Sequence, residues 1–488
     1  METKWITSNG VARKSMEPWI KDSVEYLPHQ VEGIRDLAVR NSFILGDDMG
    51  LGKSLQALTV FAIDVVRGWA SQCLVVCPTT LKGNWADEIE KFTGFPFVLL
   101  EGSEDKRLKQ LMHYFSIEGP KILIVNYEQV KSHQQVLDNF RFDIGIFDEC
   151  HYMKNPESAR TMACMDVYSR RSFMLSGTPM LNHVNELYIP LYRIGAYRKG
   201  YHQFKNRYCV MGGYKDKQIV GVKNENELQD MLAKFMLRRL KKDVLDLPEV
   251  LIQERRVDLH KEQQAMYDKV LNELLLERWD LDDPDEIKNP LTKFLRLKQI
   301  CGSTHPFLEK DISSKLDLAI LDDVELLENG HKVIVFTQFR PVLQCYADRM
   351  AKLAPQYPVY QLHGDVKKEL RQQVVRDWTA DPNPSVILCM LQVAGVGLNM
   401  TASRHVSFID ELFVPGLNQQ AIDRAHRIGQ SKTQPVQVRK YIARNTIESR
   451  VQQILRIKKK VFGEVVETDT MWQNKLIKIL LEEEREAA

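Results

Sequence analysis

The chain is 488 residues long, room for about two to four domains at roughly 100–200 residues each, so a small stapled scaffold is excluded. Hydrophobic residues make up 44% and charged residues 27%, with 25 Gly and 19 Pro, which is the profile of folded globular domains and not of disordered or fibrous sequence. Lys and Arg outnumber Asp and Glu by only 67 to 65, so the formal charge of +2 excludes a bulk polycation, and any grip on nucleic acid has to come from local basic surface.

The N-terminus, METKWITSNG, has no apolar signal core, and residues 1–24 read as an extension. Short apolar runs rich in β-branched residues follow at Ser42–Leu45, Cys73–Cys77, Lys121–Val125, Ile144–Phe147 and Ser172–Leu175, as in buried parallel strands. A second series comes at Lys332–Phe336, Val359–Leu362, Ser385–Cys389, His405–Ile409 and Val436–Tyr441. The expectation is an α/β protein of two units, 25–250 and 251–455, with helical insertions at about 183–248 and about 258–310. Across roughly 183–310 the pattern is helical and charged, with no comparable strand series. Residues 456–488 read as a helical tail, solvated and amphipathic, with a basic run Lys458–Lys460 and an acidic end Glu482–Glu484. The longest mainly apolar stretch, Val386–Leu398, is well short of the roughly 18 residues of a membrane span, so no membrane partner is expected. The eight cysteines are scattered without a CxxC pair and read as reduced core thiols of an intracellular protein.

After the first strand stands Gly46-Asp47-Asp48-Met49-Gly50-Leu51-Gly52-Lys53-Ser54, then a helix-like stretch. In this pattern glycines let backbone N–H groups close around phosphates at a helix N-terminus, the lysine reaches the β/γ-phosphates and the hydroxyl ligates Mg²⁺. Asp47 stands where the strict nucleotide-loop pattern has glycine. The strand Ile144–Phe147 ends in Asp148-Glu149-Cys150-His151. Paired carboxylates at a strand end suit phosphoryl transfer to water, Asp148 holding Mg²⁺ and Glu149 orienting and deprotonating the water. Cys150 and His151 could suggest zinc, but no other ligand cluster supports it. Arg424 and Arg427, three apart in Gln420–Gln430, share one helix face and suit stabilisation of charge on a γ-phosphate.

In order, the segments LPHQ (27–30), DDMGLGKS (47–54), VVCP (75–78) with Asn84-Trp85, NYE (126–128), DECH (148–151), LSGTP (175–179) with Asn182, VFTQF (335–339), GVGLN (395–399) and QAIDRAHRIGQ (420–430) resemble helicase superfamily two, specifically its Swi/Snf-related ATPases, over about 25–455. The middle region, with Arg207-Tyr208-Cys209 and the run Leu237–Val244, is most similar to the annealing-helicase group that remodels branched DNA. The chain thus looks like a minimal motor core, as in some bacterial or viral genomes, and a cytoplasmic location is expected, or a nuclear one if the source is eukaryotic.

The resemblance implies two RecA-like lobes, parallel sheets flanked by helices, with ATP between them. Gln30 would read the adenine, and Asp48, Met49, Gly50, Leu51, Gly52, Lys53 and Ser54 would cradle the phosphates, Ser54 and Asp148 holding Mg²⁺. Arg427, with Arg424, would act when the lobes close, and Ser176, Gly177 and Thr178 would couple closure to a bound polynucleotide. Family members of this type hold duplex DNA chiefly through the backbone of one strand, which makes Thr79, Thr80, Lys82, Asn126 and Tyr127 candidate contacts in lobe one, with Gln338, Arg340, Gly395, Gly397 and Asn399 in lobe two. Met390, Leu391 and His363-Gly364-Asp365 depart from the usual residues on that nucleic-acid side. Arg238, Arg239, Lys241 and Lys242 form the strongest local positive patch or else pair with Asp243, Asp246 and Glu249; Trp85 and Trp378 read as core. The expected function is a monomeric, ATP-dependent translocase on double-stranded DNA that remodels DNA or protein–DNA complexes, its recruiting partner unspecified. The alternatives are a strand-separating DNA or RNA helicase and a nucleotide-gated DNA-binding or inhibitory module.

Overall fold

Aliphatic runs buried on both faces build two parallel sheets, one in each of two units of the computed structural model. It describes residues 6–7, 10–11, 18–177, 184–212, 218–276, 288–308, 310–367, 370–394, 398–412, 415–427, 430, 434–450 and 452. The first unit comprises Met1–Cys209 and Val222–Leu245, the second Val210–Gly221 and Asp246–Ala488. The expected tail at 456–488 lies outside the described residues.

In the first unit, helix α1 (Pro28–Val39) precedes strand β1 (Phe43–Leu45), and helix α2 (Lys53–Val66) leads to β2 (Gln72–Cys77). Helix α3 (Lys82–Phe92), β3 (Phe97–Leu99), α4 (Glu104–Ser116), β4 (Lys121–Asn126) and α5 (Tyr127–Ser132) follow. Then come β5 (Phe142–Asp148), α6 (Ala159–Asp166) and β6 (Ser169–Leu175), with a late two-residue strand β7 (Met236–Leu237). The seven strands run parallel in the order β7-β1-β6-β5-β2-β4-β3. Ile122 to Val125 are fully buried, as expected of a strand covered on both faces. Register sets Leu45 beside Leu175 and Leu175 beside Asp148, so three strands end level at one carboxyl edge.

The second unit opens with β8 (Val250–Val257), then helices α7 (Lys261–Leu276), α8 (Lys288–Gly302) and α9 (Ser314–Glu328). Strand β9 (Val333–Thr337), α10 (Arg340–Leu353), β10 (Val359–Leu362), α11 (Arg371–Ala380) and β11 (Val386–Met390) follow, then β12 (His405–Phe408), α12 (Pro415–Ala425) and β13 (Val436–Ala443). Its six parallel strands are ordered β8-β13-β12-β9-β11-β10. Two apolar clusters cover the sheet, one around Leu316, Tyr346 and Met350, the other around Trp378, Met400 and Ile422.

The region read as helical and strandless contributes four strands among the described residues: β7 to the first sheet, β8 to the second, and a separate two-stranded pair, Cys209–Gly212 with Gln218–Val222. Strand β8 is an edge strand with the sequence VLIQERRV, half in solvent, so its periodicity carries no buried aliphatic run. Arg255 holds it to Asp322 through two hydrogen bonds of 2.9 and 2.7 Å.

All eight cysteines are buried and unbridged. No helix among the described residues is long and apolar enough to cross a membrane.

Interior charge is paired across long stretches of sequence. Arg171, on β6, is 4% exposed; it meets the fully buried Asp64 carboxylate and donates to the carbonyl oxygens of Leu37, Arg40 and Asn41. Removing one partner of such a pair leaves an uncompensated interior charge, at a cost of about 3–5 kcal/mol. Arg171→Met is therefore expected to lower the urea midpoint of first-unit unfolding, and Arg171→Met/Asp64→Leu to recover part of that loss. Equal midpoints for wild type and Arg171→Met would contradict this account.

Candidate functional site

The level carboxyl edge of β1, β6 and β5 gathers three loops, as open α/β sheets do at their ligand sites. The first is Gly46–Gly52, which enters α2. Gly50 (φ 85°) and Gly52 (φ 76°) occupy the left-handed region, where a side chain would be strained. Gly52 is the N-cap of α2 and offers no side-chain cap, so the first-turn N–H groups face the loop and suit an anion. A Cβ on Gly52 would fall 2.4 Å from Gln30 Nε2, so a side chain there would displace the Gln30 amide as well as strain the backbone. Gln30 and His29, from α1, contact the Leu51 carbonyl oxygen at 3.3 and 3.1 Å. Lys53 lies at the start of α2 with Nζ 2.7 Å from the Asp47 carbonyl and 3.2 Å from that of Asp48, while Ser54 is half-buried beside it.

The second loop carries the carboxylates. Asp148, at the end of β5, accepts from Trp85 Nε1 at 2.9 Å and from the Glu149 amide at 3.0 Å. Glu149 has φ 50° and ψ 53°, a backbone conformation that costs about 1–3 kcal/mol for such a residue and persists at functional sites. Its Oε2 accepts from Ser176 Oγ at 3.0 Å, and His151 Nδ1 lies 3.3 Å from the same oxygen. Burial and the adjacent Glu149 charge push the Asp148 carboxyl above the usual carboxylate range. Burial works against Glu149 too, but the hydrogen bond and charge of His151, with Lys53 and Ser176, hold it below that range. The buried Asp148 carboxyl, pushed toward protonation, and the half-buried Glu149 beside it form an oxygen donor set whose charge a divalent cation would relieve; Asp148 and Ser54 are the residues that would hold Mg²⁺.

The third loop, Ser176–Gly177, follows β6. A Cβ on Gly177 would lie 2.8 Å from Met49 and 3.6 Å from Lys53 Nζ, so this glycine permits the loop to pack against the nucleotide loop. Thr178 lies outside the described residues, as do Gly395 and Gly397.

The strand–loop–helix pattern and the acidic strand end therefore come together as expected, whereas several nucleic-acid candidates do not present themselves. Lys82 is 4% exposed, its ammonium turned to the Leu100 carbonyl and Gln129. Tyr127 is buried and donates to the Asp148 carbonyl at 2.7 Å, while Asn126 caps α5 by accepting from the Gln129 amide at 2.8 Å. Thr79 and Thr80 remain half-exposed on a short 3₁₀ turn. In the second unit Asn399 is exposed, Gln338 is buried with no hydrogen-bond partner for Nε2 among the described residues, and Arg340 lies 3.6 Å from Asp365.

Arg424 and Arg427 do not share a helix face, because α12 ends at Ala425. Arg424 is fully buried, and the half-buried Arg427 stands in the turn beyond, its Nε on the Asp423 carbonyl at 3.1 Å.

The basic run 238–242 likewise divides. Arg238 and Lys242 are exposed, Lys241 is buried, and Arg239 pairs with Asp47 and Glu32, carboxylates that neither reading of the run named. Arg239 and His151 were named from the sequence only as part of a basic patch and of a zinc possibility; their pairing with Asp47 and Glu149 escaped sequence reasoning, although a carboxylate in place of the loop's first glycine signals a buried cation. Trp85, read as core, is core and also holds Asp148.

Comparison with known proteins bears on the same residues. Residues 21–306 match the SNF2-related domain and residues 317–429 the helicase conserved C-terminal domain. An uncharacterized ATP-dependent helicase of Mycoplasma genitalium is 30% identical over 454 residues, which cover 90% of this chain and 42% of that protein. The TATA-binding protein-associated factor MOT1 of Saccharomyces cerevisiae is 26% identical, covering 90% of this chain and 27% of its own length. The chain thus spans less than half the length of these relatives. The SWI2/SNF2 ATPase core of Sulfolobus solfataricus, solved in complex with double-stranded DNA, is 26% identical over 96% of this chain and 97% of its own, with a TM-score of 0.43. With the SNF2-related model matched over more than half of its length and the helicase C-terminal model following it in order, the chain belongs to the SNF2-related family of helicase superfamily two.

Proposed function

We propose that the chain is an ATP-driven translocase on double-stranded DNA that remodels DNA or protein–DNA complexes without separating strands. The observation that carries the ATPase half is the convergence of Lys53, Asp148-Glu149 and Ser176-Gly177 at one carboxyl edge. Lys53 and the α2 N-terminus bind the phosphates, and Gln30, which bonds the Leu51 carbonyl of the loop, is assigned the base. Ser54 and Asp148 are the residues that would hold Mg²⁺, which would supply positive charge to offset that of the phosphate oxygens. Glu149, oriented by Ser176 and His151, takes a proton from the attacking water. Because Ser176 also begins the loop that abuts Met49, any shift of that loop re-aims the base. Family membership and the motif order support the DNA half, with backbone contacts giving weak base preference and steep salt dependence. Arg427, within QAIDRAHRIGQ, is assigned the charge-stabilising role in preference to the buried Arg424.

The names of the Mycoplasma relatives favour a second reading, a strand-separating helicase. Displacement of a triplex-forming strand from blunt duplex, without unwinding of a fork, is the expected result; fork unwinding without triplex displacement would favour the helicase. The run Leu237–Val244 and Arg207-Tyr208-Cys209 support the finer reading of branched-DNA annealing, for which forked DNA should stimulate ATP turnover above blunt duplex.

Glu149→Gln is expected to bind ATP normally while hydrolysis falls about 10²–10⁴-fold, as measured by phosphate release. Arg427→Ala should keep nucleotide affinity and lose most DNA-stimulated turnover; normal turnover would remove it from the mechanism.

A further inference from the structure

The carboxylate that replaces the first glycine of the nucleotide loop is held by a single guanidinium. Asp47 is fully buried, and Arg239 donates to both its oxygens, Nε to Oδ1 at 2.9 Å and Nη2 to Oδ2. The same guanidinium reaches the His29 carbonyl and, at 3.1 Å each, Glu32 Oε2 and Gln56 Oε1. It therefore ties α1, the loop and α2 at one point. The backbone repeats the link: Gly46 N donates to Leu237 O at 2.7 Å, Asp48 N to Arg239 O at 3.0 Å, and Lys241 N to Asp48 Oδ2 at 3.0 Å. Lys53 Nζ in turn rests on the carbonyls of Asp47 and Asp48, the two residues so clamped.

We infer that Arg239 is a positioning residue for nucleotide binding, setting the loop conformation that a glycine turn sets in the standard pattern. A buried ion pair is weak evidence of stabilisation, since desolvation offsets much of its attraction, so its value here is geometric. Arginine is required because only a planar fork meets both carboxylate oxygens while still reaching Gln56 and the His29 carbonyl. The inference rests on the proposed reading that this loop holds ATP phosphates.

The test uses the full chain, with a fluorescent ADP analogue for affinity and steady-state kinetics for KM against kcat. Arg239→Lys is expected to raise Kd and KM about 10–100-fold. Its kcat at saturating ATP should change far less, and thermal unfolding should show the variant folded at the assay temperature. Arg239→Met should do the same or worse, and Asp47→Asn added to it should recover part of the affinity by removing the unpaired buried charge. Folded Arg239→Lys with wild-type Kd and KM would overturn the inference, leaving Arg239 a structural brace. Lys53→Ala, run alongside, is expected to lose nucleotide binding; if it binds normally, the failure lies in the reading of the loop itself.

Discussion

Parallel pairing of β1, β6 and β5 is the constraint on which the site depends. Register makes Leu45, Leu175 and Asp148 neighbours across the sheet, and strands stand about 4.8 Å apart, so the nucleotide loop and the acidic strand end are held roughly 10 Å apart with Ser176 between them. That spacing is set by main-chain hydrogen bonds within a buried sheet. Side chains add only the final aim, in which Trp85 holds one carboxylate and Ser176 with His151 the other.

Several charges that the fold buries, in both units, are matched by an opposite charge from a distant part of the chain. Asp64 meets Arg171, Asp47 meets Arg239, and Lys315 meets Glu448 at 2.5 Å. These pairs join segments that share no secondary structure, which is where a mismatched register would be most costly. The left-handed backbone of Glu149 fits the same logic, since a strained residue persists where its surroundings over-determine it, and Glu149 is gripped by two side chains.

The strands of both sheets were legible wherever burial on two faces produced an uninterrupted aliphatic run, as in Lys121–Asn126 and Val333–Thr337. Strands β3, β7 and β8 were not, because the first two have only three and two residues and the last lies at an edge with Gln253, Glu254, Arg255 and Arg256 in it. The phosphate loop and the Asp148-Glu149 pair were legible from residue type and spacing. Burial of Lys82 and Tyr127, and the helix end that parts Arg424 from Arg427, depend on tertiary packing that no local pattern encodes. The partner of Asp47 was hidden by sequence distance, for Arg239 lies 192 residues away.

The burial of every cysteine has a practical side. Burial raises the thiols of Cys73, Cys77, Cys150, Cys301 and Cys389 far above their ordinary range, so none offers a ready thiolate to an electrophile. A cysteine placed on an exposed position such as Arg238 in the first unit or Asn399 in the second would be the one handle a maleimide dye finds, on an otherwise native chain. Fluorescence from such a dye would report how the surroundings of that one position respond to nucleotide.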